Sequence, residues 1–191
     1  IEEAKRASVK AKLSELGIGE SFVTLLPGAR WATKLWTVEG FAALAALIDK
    51  ELGLQVVLAG SGADHSMAEE IAVKSKGVAK NFAGKTDLKE LAVLLSLSRF
   101  VVTVDSGPMH IAAALSTPVV AIFGPTAPER TGPYGKDNVI VKRDLDCAPC
   151  FSRKCPEPRC MELITADEVM EKIQSSLVAV AGVPGIEPKR A

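Results

Sequence analysis

Apolar residues along this chain gather into short unbroken runs, and longer stretches with helical periodicity lie between them. The runs are FVTLLPG (22–28), closed by Pro27-Gly28, then LQVVLAG (54–60), a shorter one near AKNFAG (79–84), RFVVTV (99–104) and PVVAIF (118–123). Their length, their β-branched residues and the Gly or Pro that bounds them predict buried strands. Between them EEAKRASVKAKLSEL (2–16), VEGFAALAALIDKEL (38–52), HSMAEEIAVKS (65–75), residues 87–96 and residues 108–115 read as helices. Thr37 is placed to cap the second of these and Gly53 to stop it. Five strands that are apolar on both faces and alternate with helices predict a parallel sheet covered on two sides, because each parallel crossover lays a helix over a face. The expected fold class is α/β, Rossmann-like, with helices on both faces of the sheet. Beyond Phe123 the pattern changes to a Gly/Pro loop, an edge strand NVIVK (138–142), a cysteine-bearing loop over 144–160 and a closing helix over 165–180. These elements predict one Rossmann-like domain over 1–181, followed by a tail, 182–191, expected to be disordered.

Composition narrows the picture in a few places. The chain has 191 residues, long enough to bury a sizeable core. Lys+Arg and Asp+Glu are equal at 23 each, so no global field favours nucleic acid or an acidic membrane. The longest clearly apolar run, 41–48, falls far short of the roughly 20 residues that cross a bilayer. The first residue is Ile, and the charged helical start carries no signal-peptide pattern, so the chain is expected to be a piece of a longer protein.

Ligands of an open parallel sheet lie beyond the carboxyl ends of its strands, which nominates the loops 27–36, 60–65, 84–87, 105–110 and 124–136. In the fourth of these, Asp105-Ser106-Gly107 leads directly into a helix, so backbone N–H groups near Ser106, Gly107 and Met109 point out of the helix start. Such a terminus suits a phosphate, because unpaired donors and the positive end of the helix dipole coincide there. His110 falls in the first turn, able to donate to a phosphate oxygen or a sugar hydroxyl. A plainer reading stays open: Asp105 or Ser106 only caps the helix, and His110 packs. In the first loop Arg30 and Lys34 could neutralise a diphosphate, while Trp31 and Trp36 read as packing residues. GSGADH (60–65) fails the G-x-G-x-x-G pattern at His65, a surface position; Asp64 can cap the next helix or bind a ribose hydroxyl. Cys147, Cys150, Cys155 and Cys160 lie within 14 residues as C-x2-C-x4-C-x4-C. That spacing allows zinc, an iron–sulfur cluster, two disulfides or free thiols, and Pro149, Pro156 and Pro158 would stiffen the loop without a metal.

The chain resembles the C-terminal, donor-binding half of the lipopolysaccharide heptosyltransferases, glycosyltransferase family nine, which have two-domain GT-B architecture. The resemblance rests on PGARWATKLWTVEGFAAL (27–44), LAGSGAD (58–64), FAGKTDLKELAVLL (82–95), VVTVDSGPMHIAAAL (101–115), FGPTAPERTGPYG (123–135) and the cysteine loop CAPCFSRKCPEPRCMELI (147–164). It implies Lys34 on the nucleotide diphosphate, Asp64 on the ribose, Thr86 on the adenine, and Asp105, Ser106, Gly107 and His110 on the diphosphate and sugar. The family is known for inverting transfer of heptose from ADP-heptose to a lipid A–inner-core acceptor. By that resemblance the enzyme needs no cofactor, is cytoplasmic or peripheral at the inner membrane, and draws its catalytic base from an N-terminal domain outside this chain. Two other readings remain: a nucleotide-sugar epimerase or other GT-B glycosyltransferase, and a non-enzymatic metal-binding or interaction module built on the cysteine loop, with structural zinc.

Overall fold

A computed structural model describes residues 3–136 and 138–179. The strands are β1 (Phe22–Leu26), β2 (Gln55–Leu58), β3 (Ala79–Asn81), β4 (Val101–Val104), β5 (Val119–Phe123) and β6 (Val139–Lys142). The helices are α1 (Glu3–Glu15), α2 (Val38–Leu52), α3 (His65–Lys74), α4 (Leu88–Leu97), α5 (Gly107–Ala114), α6 (Pro128–Thr131), α7 (Arg159–Glu162) and α8 (Ala166–Ala179). The strands form one parallel sheet in the order β3-β2-β1-β4-β5-β6. The α/β, Rossmann-like expectation holds, and the NVIVK segment supplies β6, one of the two edge strands of the sheet.

Side-chain alternation divides the core. Val23, Leu25, Val56, Leu58, Val102, Val104, Val120 and Ile122 pack under α2, α3 and α8. Phe22, Leu26, Val57, Val101, Val119, Ala121 and Phe123 face α1, α4 and α5. Successive strand side chains point to opposite faces, so each run must be apolar throughout to bury both. Thr24, fully buried in the central strand, is tolerated because its hydroxyl shares a 2.6 Å hydrogen bond with Ser98, which itself donates to the Leu94 carbonyl. Helix boundaries follow the local chemistry: Thr37 Oγ1 accepts from the Gly40 N–H, and Gly53 stops α2 at φ 65°, a left-handed conformation that favours glycine.

Three details depart from the sequence reading. The third strand is shorter than 79–84, ending at Asn81; the Phe82 N–H still donates to the Leu58 carbonyl at 2.8 Å, and Phe82 and Ala83 are buried in the core. The 124–136 loop contains the single turn α6, and the cysteine loop ends in α7, which turns Cys160 and Met161 inward. The predicted tail lies outside the described residues.

Strand order positions the site. The chain moves outward from β1 through β2 to β3, then returns to lay β4 against the other side of β1. The loops leaving β1 and β4 therefore diverge to opposite faces, opening a crevice above their carboxyl ends.

Candidate functional site

A cleft of about 810 Å³ occupies that crevice. The loop after β1 contributes Gly28, Arg30, Trp31 and Lys34; the loop after β2 contributes Gly60, Ser61 and Asp64. Thr86, Asp87 and Leu88 come from the start of α4, Asp105, Ser106, Gly107 and His110 from the start of α5, and Thr131 from α6. All seven residues singled out from the sequence, Lys34, Asp64, Thr86, Asp105, Ser106, Gly107 and His110, line this one space.

The charged end is built around Asp105. This side chain is 6% exposed, and its Oδ2 accepts from Thr126 Oγ1 at 2.7 Å and Thr131 Oγ1 at 3.2 Å while pairing with Lys34 Nζ at 2.7 Å. Asp105 therefore does not cap α5. Ser106 occupies the N-cap position with extended backbone and makes no cap bond; its hydroxyl lies 3.2 Å from Thr103 Oγ1. The capping reading of this segment is corrected on both residues: the start of α5 carries no side-chain acceptor, and its first-turn donors and dipole face the cleft. His110 is exposed on the cleft wall, so the reading in which it packs is corrected too.

The other two carboxylates of the cleft are also engaged. Asp64 Oδ2 accepts from both the N–H and the hydroxyl of Ser61 at 2.7 Å, closing a capping box around the turn 62–64. Asp64 thus caps that turn and makes no side-chain cap to α3. Its carboxylate lies so close to the Gly28 Cα that a Cβ there would collide with it, which is why the loop after β1 needs glycine at that point. Asp87 accepts from the Glu90 N–H at 2.8 Å and pairs with Lys5 at 2.5 Å. Glu90 completes the second capping box and receives Lys12 Nζ at 2.8 Å and Ser8 Oγ at 2.8 Å, so α1 staples the start of α4.

Sequence reading missed Trp31, Leu88, Thr126 and Thr131. Trp36 is a core residue, donating from Nε1 to the Ile164 carbonyl at 3.0 Å and meeting Phe41 edge-on. Trp31 is half-buried in the cleft, with Lys34 Nζ 4.4 Å and the Arg153 guanidinium 4.6 Å from its ring centroid. Leu88, 70% exposed, is an apolar side chain left at the cleft rim, a position that periodicity alone assigns to solvent. Thr126 and Thr131 belong to the nominated loop 124–136, in which nothing singled them out, and their signal appears once Asp105 is placed opposite them.

The cysteine loop does not fit a metal. Cys147, Cys150 and Cys155 are exposed free thiols, and Cys160 is a buried one. Among the described residues no group of three or more His, Cys, Asp or Glu side chains is arranged to hold a metal ion, so the structural-zinc reading has no support. Burial, followed by electrostatic repulsion from the neighbouring Cys150 and Cys147 side chains, pushes the Cys160 thiol up from its ordinary value.

A parallel sheet in this order, with a helix N-terminus and a lysine converging on one crevice, defines a Rossmann-type domain. The family model for glycosyltransferase family 9 (heptosyltransferase) matches residues 1–161, and the chain belongs to that family. Lipooligosaccharide heptosyltransferase 2 of Campylobacter jejuni is 32% identical over 166 residues, covering 83% of this chain and 52% of its own length. Lipopolysaccharide heptosyltransferase 2 of Salmonella typhimurium is 43% identical over 121 residues, covering 61% of this chain and 34% of its own. The solved structure of E. coli ADP-heptose LPS heptosyltransferase II superposes with a TM-score of 0.78 at 28% identity, over 95% of this chain and 54% of that one. The chain spans about half the length of the first of these relatives. Among the described residues no helix is long and apolar enough to cross a membrane.

Proposed function

We propose that residues 1–181 form the nucleotide-sugar-binding domain of a heptosyltransferase of lipopolysaccharide core assembly, and that its donor is ADP-heptose. The observation that carries this reading is the convergence of Lys34 and the uncapped start of α5 on a single crevice. The diphosphate would lie over Gly107, where first-turn N–H groups and the helix dipole favour an anion, with the Lys34 ammonium beside it. His110, exposed one turn along, would reach a phosphate or sugar oxygen. The ribose would lie near Asp64, and the adenine against Thr86 and Leu88. Asp105 would act by holding Lys34 in place, since a carboxylate gains nothing against a diphosphate directly.

In transfer, the departing ADP gains negative charge as the anomeric bond breaks. A fixed ammonium and a fixed helix terminus stabilise that charge without reorganising. The acceptor hydroxyl needs a general base. Asp64, Asp87 and Asp105, the carboxylates lining the cleft, are committed to Ser61, to Lys5 and Glu90, and to Lys34 with two threonines. That commitment supports a base supplied from a part of the enzyme outside this chain, opposite the cleft, together with the lipid A–core acceptor. The reaction would be inverting and would take place on the cytoplasmic side of the membrane.

Titration calorimetry with ADP tests the reading. Binding is expected, weakened about tenfold or more by Lys34→Ala, which removes a charge-assisted contact, and weakened without loss of fold by His110→Ala, an exposed position. A folded sample that shows no heat with millimolar ADP, or that prefers a uridine nucleotide, would overturn it.

A further inference from the structure

Three consecutive residues of the cysteine loop, Phe151, Ser152 and Arg153, touch both loops that build the charged end of the cleft. Toward the loop after β1, the Ser152 carbonyl accepts from the buried Thr33 hydroxyl at 2.8 Å, and the Arg153 guanidinium stands 4.6 Å from the Trp31 ring centroid. Toward the loop after β5, the Phe151 N–H donates to the Pro125 carbonyl at 2.8 Å, and the Arg130 guanidinium lies 5.4 Å from the Phe151 ring centroid. These two loops carry the groups that meet at Asp105: Lys34 arrives from one, Thr126 and Thr131 from the other.

We propose that this segment clamps the two loops, and that Arg153 is a positioning residue for Lys34, acting through Trp31. The indole ring has two cations over it, Arg153 and Lys34, each attracted by the negative ring face. Arg153 does not line the cleft; it lies in a separate hollow with Ala32, Thr33 and Cys155, so its effect on a ligand must pass through a neighbour. By fixing the indole, it fixes the surface against which the Lys34 side chain rests. A lysine ordered before the ligand arrives spares binding the loss of its rotamer freedom. The cysteine loop thus serves the diphosphate end of the cleft as a brace, a role that does not need a metal.

The inference rests on the reading of the cleft as a nucleoside-diphosphate site, and its test separates the two. ADP is titrated into the wild-type chain, Arg153→Gln, Arg153→Lys, Trp31→Leu and the Arg153→Gln/Trp31→Leu double variant. Arg153→Gln is expected to weaken ADP binding about two- to fivefold, the size of a cation–π contact at a partly exposed site. Arg153→Lys should recover most of that, and Arg153→Gln should have no further effect once Trp31 is Leu. In the ligand-free protein the Trp31 indole N–H resonance, assigned by its loss in Trp31→Leu, should shift in Arg153→Gln while the melting temperature falls by no more than about 4 °C. Unchanged affinity in Arg153→Gln, or an equal loss with and without Trp31, would overturn the proposal. If wild-type protein binds no ADP, the reading of the cleft fails by itself, and an unmoved indole resonance would then overturn the brace as well.

Discussion

Removing the Asp105 carboxylate should cost the fold more than any other single change in the cleft. Asp105→Ala takes away an acceptor shared by three donors. Thr126, 3% exposed, is left with a buried hydroxyl and no partner; a hydrogen bond to a charged acceptor is worth about 1.5–3 kcal/mol. Lys34, its side chain 15% exposed, is left as an uncompensated cation, and losing one member of a buried pair costs about 3–5 kcal/mol. These terms overlap, and the ammonium opens on the cleft where water can reach it, so the lower end of the range, about 3 kcal/mol, is expected. For a chain of this length that lowers the melting temperature by about 6–12 °C. Asp105→Asn keeps acceptors for both threonines and loses only the charge, so about 1–2 kcal/mol is expected. Adding Lys34→Met to Asp105→Asn removes the orphaned cation, and the pair should be less destabilised than the sum of the singles by about 1 kcal/mol. Urea unfolding followed by circular dichroism measures the wild type, the three single variants and the double variant. A loss below about 1 kcal/mol in Asp105→Ala, or strict additivity in the double variant, would refute the claim that Asp105 holds Lys34.

Other outcomes follow from the same contacts. The Lys12 ammonium, then the Ser8 hydroxyl and the Asp87 N–H, hold the Glu90 carboxyl below its ordinary value. Its folded value is lowered, so its stabilisation is complete above the ordinary carboxylate range near about pH 4.3 and disappears as pH falls through the lower folded value. Wild type should exceed Glu90→Gln by about 1.5 kcal/mol at neutral pH, with the gap closing in acid; a gap that widens in acid contradicts the Lys12 pairing. Iodoacetamide at mildly alkaline pH should label Cys147, Cys150 and Cys155 in the folded protein and Cys160 only after unfolding, as read by mass spectrometry. Equal labelling of all four would mean that Cys160 is not buried in the folded protein.

Much of this protein is legible in one dimension. Runs such as PVVAIF and the stops at Gly53 and Pro27-Gly28 announce themselves, because a doubly buried strand must be apolar throughout and a left-handed stop favours glycine. Carboxyl-end loops follow from the alternation itself, and with them the position of the cleft, whereas cleft residues such as Trp31, Leu88 and Thr131 do not. The single-turn helices α6 and α7 do not show, since four residues carry no periodicity and depend on packing for their existence. Asp64 illustrates a subtler limit: GSGAD permits a cap on the next helix or a ligand contact equally well, and the carboxylate instead accepts from Ser61 within the turn 62–64 and makes no cap to α3.

The sequence by itself determined the parallel α/β class, the crossovers, the caps of α2 and the loops in which polar chemistry accumulates, because each depends on neighbours within a few turns of chain. Only the tertiary structure decided that β4 lies beside β1, that Asp105 meets Lys34, Thr126 and Thr131 instead of capping its own helix, and that Arg153 reaches Trp31. The physical reason is the same for each: a buried carboxylate, a lysine or an indole is satisfied by whichever groups the sheet brings opposite it, and those groups arrive from loops far apart along the chain.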